Sequence, residues 1–174
     1  LIYAIQLFSF NEMGLFARQC EEIGDYIRSF EGDGRQSQAQ LAGEFELLCS
    51  FGKYNHIAEM SEHHRRACSL LTGPSEFIDT NGSWTFGAPS VLYMFYRESG
   101  KLEQEVDEIT AAMPYYYRLT AGHGSGAEYV MQAERHYLRG DFENAEITAH
   151  KAMCVASSRN QAALVLCVRF LQLR

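Results

Sequence analysis

Apolar residues at steps of three and four run along most of this chain, and glycine-centred turns divide them into helical segments. Tyr129, Val130, Ala133 and Tyr137 form one such face, and Phe142, Ala145, Ala149, Ala152, Met153 and Ala156 form the next. Between them stands Arg139-Gly140-Asp141: the glycine stops the first helix by taking positive φ, and Asp141 caps the second. This is a helical hairpin. The same punctuation occurs at Gly52, followed by Ile57, Met60, His64, Ala67, Cys68 and Leu71, and at Gly100, followed by Val106, Ile109, Met113 and Tyr116. The pattern predicts nine helices and no sheet, at 1–9, 12–31, 36–51, 54–72, 89–98, 102–119, 125–139, 142–158 and 161–173.

Local signals refine these bounds. Asn11 is placed to cap the second helix, Gly32-Asp33-Gly34 to end it, and Ser37-Gln38-Ala39-Gln40 to open the third as a capping box. Ser125-Gly126-Ala127-Glu128 has the same box pattern, and Asn160 or Gln161 starts the last helix. Pro89 suits a first helical turn, and Pro114 predicts a kink near 110–115. Val91 to Tyr96 is a solid apolar run that alone would fit a buried strand, but its neighbours favour helix. Residues 74–88 are the one long irregular segment, either a functional loop or an insertion whose Phe77, Ile78, Trp84 and Phe86 pack on the helices.

The turn glycines recur at about 40 to 48 residues, in the range of two-helix repeats. With Gly140, Phe142 and the small residues Ala133, Ala145 and Ala152, the stretch Gly126 to Ser157 resembles the tetratricopeptide repeat family; it departs from the motif where Ser157 replaces the usual proline. The resemblance implies one all-α domain over 1–174, with hairpins stacked in a right-handed solenoid. Its units are 1–34, 35–73, 88–121, 123–159 and a partial 160–174, with 74–88 inserted.

Composition changes the picture in three ways. With 174 residues, 47% of them apolar, the chain can bury a real core. A net charge of −7 argues against a nucleic-acid grip, which needs clustered Lys and Arg. Five cysteines, none in a C-x-x-C pair, read as buried thiols of a reducing compartment. Without a signal peptide or an 18-residue apolar run, a cytoplasmic chain with no membrane partner is expected. It opens at Leu1 rather than Met and ends inside an apolar helix, so a piece of a longer protein is expected. A cut solenoid would leave Ile2, Ile5 and Phe8 uncovered at one end and Leu164, Cys167, Phe170 and Leu171 at the other, a route to homo-oligomers.

Candidate chemistry is sparse. Gly122-His123-Gly124-Ser125-Gly126 has neither the spacing of a nucleophile elbow nor the lysine of a phosphate-binding loop. His56, His63 and His64 lack H-E-x-x-H spacing, so no metal site is expected. No nucleophile, base and orienter can be assembled, so the chain reads as non-enzymatic and without a cofactor.

The run Gly87 to Leu102, followed by Pro114-Tyr-Tyr-Tyr and by Gly122-His-Gly-Ser-Gly-Ala-Glu-Tyr, resembles the helical sensor region of MalT-like, LuxR-family transcriptional regulators over about residues 35–174. The resemblance implies a ligand-sensing or protein-interaction region that controls a separate DNA-binding domain, with a small-molecule inducer or a protein or peptide as partner. A peptide-binding scaffold module is the alternative. In such repeats the first helix of each pair lines the concave face. Counting six and three residues back from each turn glycine places Glu46 and Cys49, Met94 and Arg97, and Glu134 and Tyr137 there. Arg97 is the expected anchor for an anionic or hydroxylated group, unless it pairs with Glu46 or Glu134. Tyr137 and Trp84 would offer aromatic faces, and His123 is a further candidate contact.

Overall fold

The computed structural model describes the chain except at residues 31–37, 81, 83, 86 and 97, and among the described residues every regular element is an α-helix. The order is α1 (Ile2–Ser9), α2 (Met13–Ser29), α3 (Gln38–Phe51), α4 (Ile57–Leu70), α5 (Val91–Phe95), α6 (Leu102–Leu119), α7 (Ala127–Leu138), α8 (Phe142–Ser158) and α9 (Ala162–Gln172). The all-helical expectation holds, and the apolar run at Val91 is a helix of five residues rather than a strand. None of these helices is long and apolar enough to cross a membrane. The expected stop at Gly32–Gly34 and the Ser37 cap lie outside the described residues. The helices gather into two compact units, Leu1–Ile78 and Asp79–Arg174.

In the first unit α1 packs on α2 and α3, α2 on α3, and α3 on α4. Ala4, Leu7, Phe16 and Leu48 form a buried cluster. The Phe8 ring lies 5.7 Å from Phe16, 5.4 Å from Phe51 and 5.8 Å from Tyr54, in tilted or edge arrangements that each add about 0.5–1.5 kcal/mol beyond burial. Buried Glu44 accepts from Ser75 Oγ at 2.5 Å and from the Glu76 N–H at 3.2 Å, tying the segment after α4 to α3. The α3–α4 turn differs from expectation in its cause: Gly52 does not take positive φ, whereas Gly100 and Gly140 do. The chain leaves α3 through i→i+3 bonds at Gly52, Lys53 and Tyr54. Gly52 is small because a Cβ there would stand 3.1 Å from the Phe16 ring.

In the second unit α7 touches α5, α6, α8 and α9 and so forms its centre. Small residues permit this: Ala127, Val130 and Ala133 of α7 and Ala145, Ala149, Ala152 and Ala156 of α8 are all buried. Asp141 caps α8, accepting from the Asn144 N–H at 3.3 Å. Helix α6 runs unbroken through Pro114.

Three local expectations are corrected. Asn11 sits at φ 60° and Glu12 precedes α2 without a side-chain cap, because the α1–α2 turn closes through backbone bonds from Asn11 and Glu12 to Phe8 and Leu7. Ser125 does not cap α7 either. Its hydroxyl donates to the Gly122 carbonyl, Glu128 accepts from the Tyr117 hydroxyl, and Gly126 at φ 103° opens the helix. On α9, Leu164, Cys167 and Leu171 are buried, because that stripe turns toward α7 and α8. Phe170 and Ile2 are exposed as expected, together with Leu166 and Leu173, whereas Ile5 and Phe8 are half-buried because they pack against the cluster of Ala4, Leu7, Phe16 and Leu48.

Candidate functional site

Three of the residues singled out from the sequence, Glu46, Trp84 and His123, stand in two clusters, one in each unit. In the first unit Glu46 of α3 faces two side chains of α4. Its Oε2 accepts from Arg66 Nε at 2.8 Å and lies 2.7 Å from His63 Nδ1. The three close on one another, since an outer Arg66 nitrogen lies 2.8 Å from His63 Nδ1. The i, i+3 spacing of His63 and Arg66 puts both on the α4 face that meets Glu46. Glu46 and His63 are half-buried, while the Arg66 side chain is 49% exposed and keeps part of its fork in water. One turn further along α3, half-buried Cys49 stands opposite half-buried Cys20 of α2, since Phe16 meets Gly52 and Gly24 meets Phe45 across the same two helices.

Behind this cluster His64 is almost wholly buried, with Nε2 3.1 Å from Ser50 Oγ. Burial, and then the neighbouring His63, push its pKa from 6.5 down to about 3. A depressed pKa means that the unfolded chain takes up the proton first. The first unit should therefore be at full stability above pH 6.5 and lose it as pH falls toward 3, at up to about 1.4 kcal/mol per pH unit. His64→Leu should flatten that part of a urea-denaturation pH profile; an unchanged slope would contradict the assignment.

The second cluster lies under the irregular segment of the second unit. Trp84 is buried, its ring 6.0 Å from Phe95. Its indole nitrogen packs against Gly124, next to His123, whose Nδ1 lies 3.0 Å from the Tyr116 hydroxyl. His123 Nε2 in turn lies 3.0 Å from the Gly82 carbonyl. One neutral tautomer satisfies the whole chain: Nε2–H donates to Gly82 and Nδ1 accepts from Tyr116. Burial lowers the His123 pKa and raises that of Tyr116, so both are held neutral. Gln161 completes the cluster, accepting from the Gly124 N–H at 2.7 Å and donating to the Thr80 and Arg159 carbonyls at 3.2 and 2.9 Å. These groups spend their hydrogen bonds on one another, and a satisfied buried network of this kind stiffens the segment that carries Trp84.

The other expected positions divide. Glu134 is buried and acts as a cap: it accepts from the Leu92 N–H at 2.7 Å, at the N-terminus of α5. Burial raises its pKa, with Ser90 and Leu92 partly offsetting that. Met94 is half-buried on α5, and Tyr137 is half-buried with its ring 5.7 Å from Phe142. Arg97 lies outside the described residues. Trp84 and His123 are thus brought together and Glu46 stands with partners of its own. Sequence reasoning missed Gln161 as a tie and the pairing of Cys20 with Cys49, because neither has a local spacing signal.

The first unit has further openings. A hollow of about 440 Å³ in the first unit is walled by Ile2, Tyr3, Ile23, Tyr26, Ile27 and Phe77, among others. Among the described residues no group of His, Cys, Asp and Glu has the arrangement of a metal site. Compared with protein-family models, with curated proteins and with solved structures, the chain matches none.

Proposed function

We propose that this chain is the ligand-sensing or protein-interaction region of a MalT-like, LuxR-family transcriptional regulator, built from tetratricopeptide-like helical hairpins stacked in a solenoid, and that it is not an enzyme. The observation that carries the reading is the half-open Glu46–His63–Arg66 cluster on the α3–α4 hairpin. A carboxylate fixed by two cationic or hydrogen-bonding partners presents donors and an acceptor at a set geometry, which suits a hydroxylated or anionic small molecule. Repeat architecture is favoured by the contact order inside each unit. In the first, α1 touches α2 and α3; in the second, α7 touches α8 and α9. Helices that meet their next and next-but-one neighbours are what stacked hairpins produce.

The second reading, a peptide-binding scaffold, rests on the 440 Å³ hollow, whose lining of Ile2, Ile23, Ile27 and Phe77 with the rings of Tyr3 and Tyr26 suits an apolar anchor side chain. A thermal-shift panel of sugars, sugar phosphates and amphipathic peptides separates the two. A sensor should be stabilised by at least one small molecule; stabilisation by peptides alone would favour the scaffold.

A further inference from the structure

We propose that Cys20 and Cys49 form an oxidisable thiol pair that closes to a disulfide between α2 and α3 when the protein meets a hydroperoxide. The two residues come from consecutive helices that pack on each other, and the contacts of Phe16 with Gly52 and of Gly24 with Phe45 bracket them, so the helix register sets Cys20 opposite Cys49. Both are half-buried, so neither is sealed from small oxidants. Cys20 also lines a hollow of about 470 Å³ with Glu21, Gly24, Asp25, Arg28 and Phe45, an opening wide enough for a peroxide. Of the remaining three cysteines, Cys154 is exposed, Cys167 is buried and Cys68 is half-buried on α4.

Cys20 lines the hollow and so meets the oxidant first. The neighbouring Cys49 thiol lowers the Cys20 pKa, which favours the nucleophilic thiolate, while the Cys49 pKa is raised. The Cys20 thiolate attacks one oxygen of hydrogen peroxide. An S–O bond forms, the O–O bond breaks, and the leaving hydroxide takes a proton from solvent to become water. Cys49 sulfur then attacks the sulfenic sulfur of Cys20. The S–S bond forms, the S–O bond breaks, and the hydroxyl leaves as water with the proton of Cys49. The two thiols lose two electrons and one peroxide becomes two waters. The product ties α2 to α3 and closes the chain between positions 20 and 49, so the reducible bond stiffens the unit that carries Glu46.

The test is titration of the reduced 174-residue chain with hydrogen peroxide at one to five equivalents, followed by non-reducing peptide mapping. The expected product is an intramolecular Cys20–Cys49 link in most chains, with a melting temperature raised by about 5 °C and restored by dithiothreitol. Cys49→Ser should stop Cys20 at a sulfenic or higher acid that a dimedone probe detects, and Cys20→Ser should leave Cys49 reduced. Circular dichroism checks that both variants fold; if one does not, Cys49→Ala and Cys20→Ala replace them. Oxidation of Cys154 in most chains while fewer than about one in ten carry the Cys20–Cys49 link would overturn the proposal.

Discussion

Gly124→Ala is expected to be the most damaging single-methyl change in the second unit, at about 3 kcal/mol. Gly124 sits at φ 76°, and a Cβ there would stand 2.4 Å from Trp84 Nε1 and 2.5 Å from its Cδ1. The backbone conformation alone costs an alanine roughly 1–2 kcal/mol, and overpacking against a buried ring adds roughly 1–3. The ring cannot simply swing away, since it is buried and packed beside Phe95. Gly140→Ala supplies the internal control. Its φ of 75° is nearly the same but nothing lies within 4 Å of the added carbon, so only the backbone cost of about 1 kcal/mol should appear. Trp84 is the single tryptophan, so its fluorescence reports the collision directly. Gly124→Ala should red-shift the emission and lower the urea midpoint well below that of Gly140→Ala; equal midpoints with unshifted emission would contradict the packing described for Trp84.

Glu134→Ala should cost about 3 kcal/mol, and Glu134→Gln clearly less. The alanine leaves the buried Leu92 N–H without its acceptor and opens a small cavity in the centre of the unit. The glutamine keeps a carbonyl oxygen in place for the same bond. Protonation adds a second signature. Burial holds the Glu134 pKa above 4.5, so the folded state prefers the neutral acid. Its favourable contribution is present below pH 4.5 and is lost as pH rises through the raised folded value. The stability of Glu134→Gln relative to the native chain should therefore improve as pH climbs from 4 toward 7. A pH-independent difference between the two would show that the carboxyl is not desolvated as described.

The helices were legible because their signal is local. Leu102–Leu119 and Phe142–Ser158 fall at the expected bounds, since a three-four apolar period, a turn glycine and a capping Asp141 all act within a few residues. What failed has long-range causes. Glu46 and Glu134 stand at the same register before their turn glycines, yet one meets His63 and Arg66 and the other meets a helix N-terminus 42 residues away. No spacing rule distinguishes them. Ser125 carried a good capping pattern, but Tyr117 offered Glu128 a better partner across the preceding turn. The stripe on α9 was expected to be bare because the sequence cannot say which side of an apolar helix its neighbours cover. The cluster of Trp84, Tyr116, His123 and Gly82 was invisible for the same reason, although two of its members stood out as aromatic and histidine outliers in glycine-rich loops.

We propose that the first unit recognises a small molecule through Glu46, His63 and Arg66. The most direct measurement is the thermal-shift panel of sugars and sugar phosphates, run side by side on the native chain and on Glu46→Ala. At a compound concentration of about ten times its dissociation constant, the native chain should gain about 1.4 kcal/mol, a rise of a few degrees in melting temperature. Glu46→Ala should keep its helical circular dichroism and lose that rise. A stabilising compound whose shift is the same in both proteins, or a panel in which only peptides stabilise, would contradict the account.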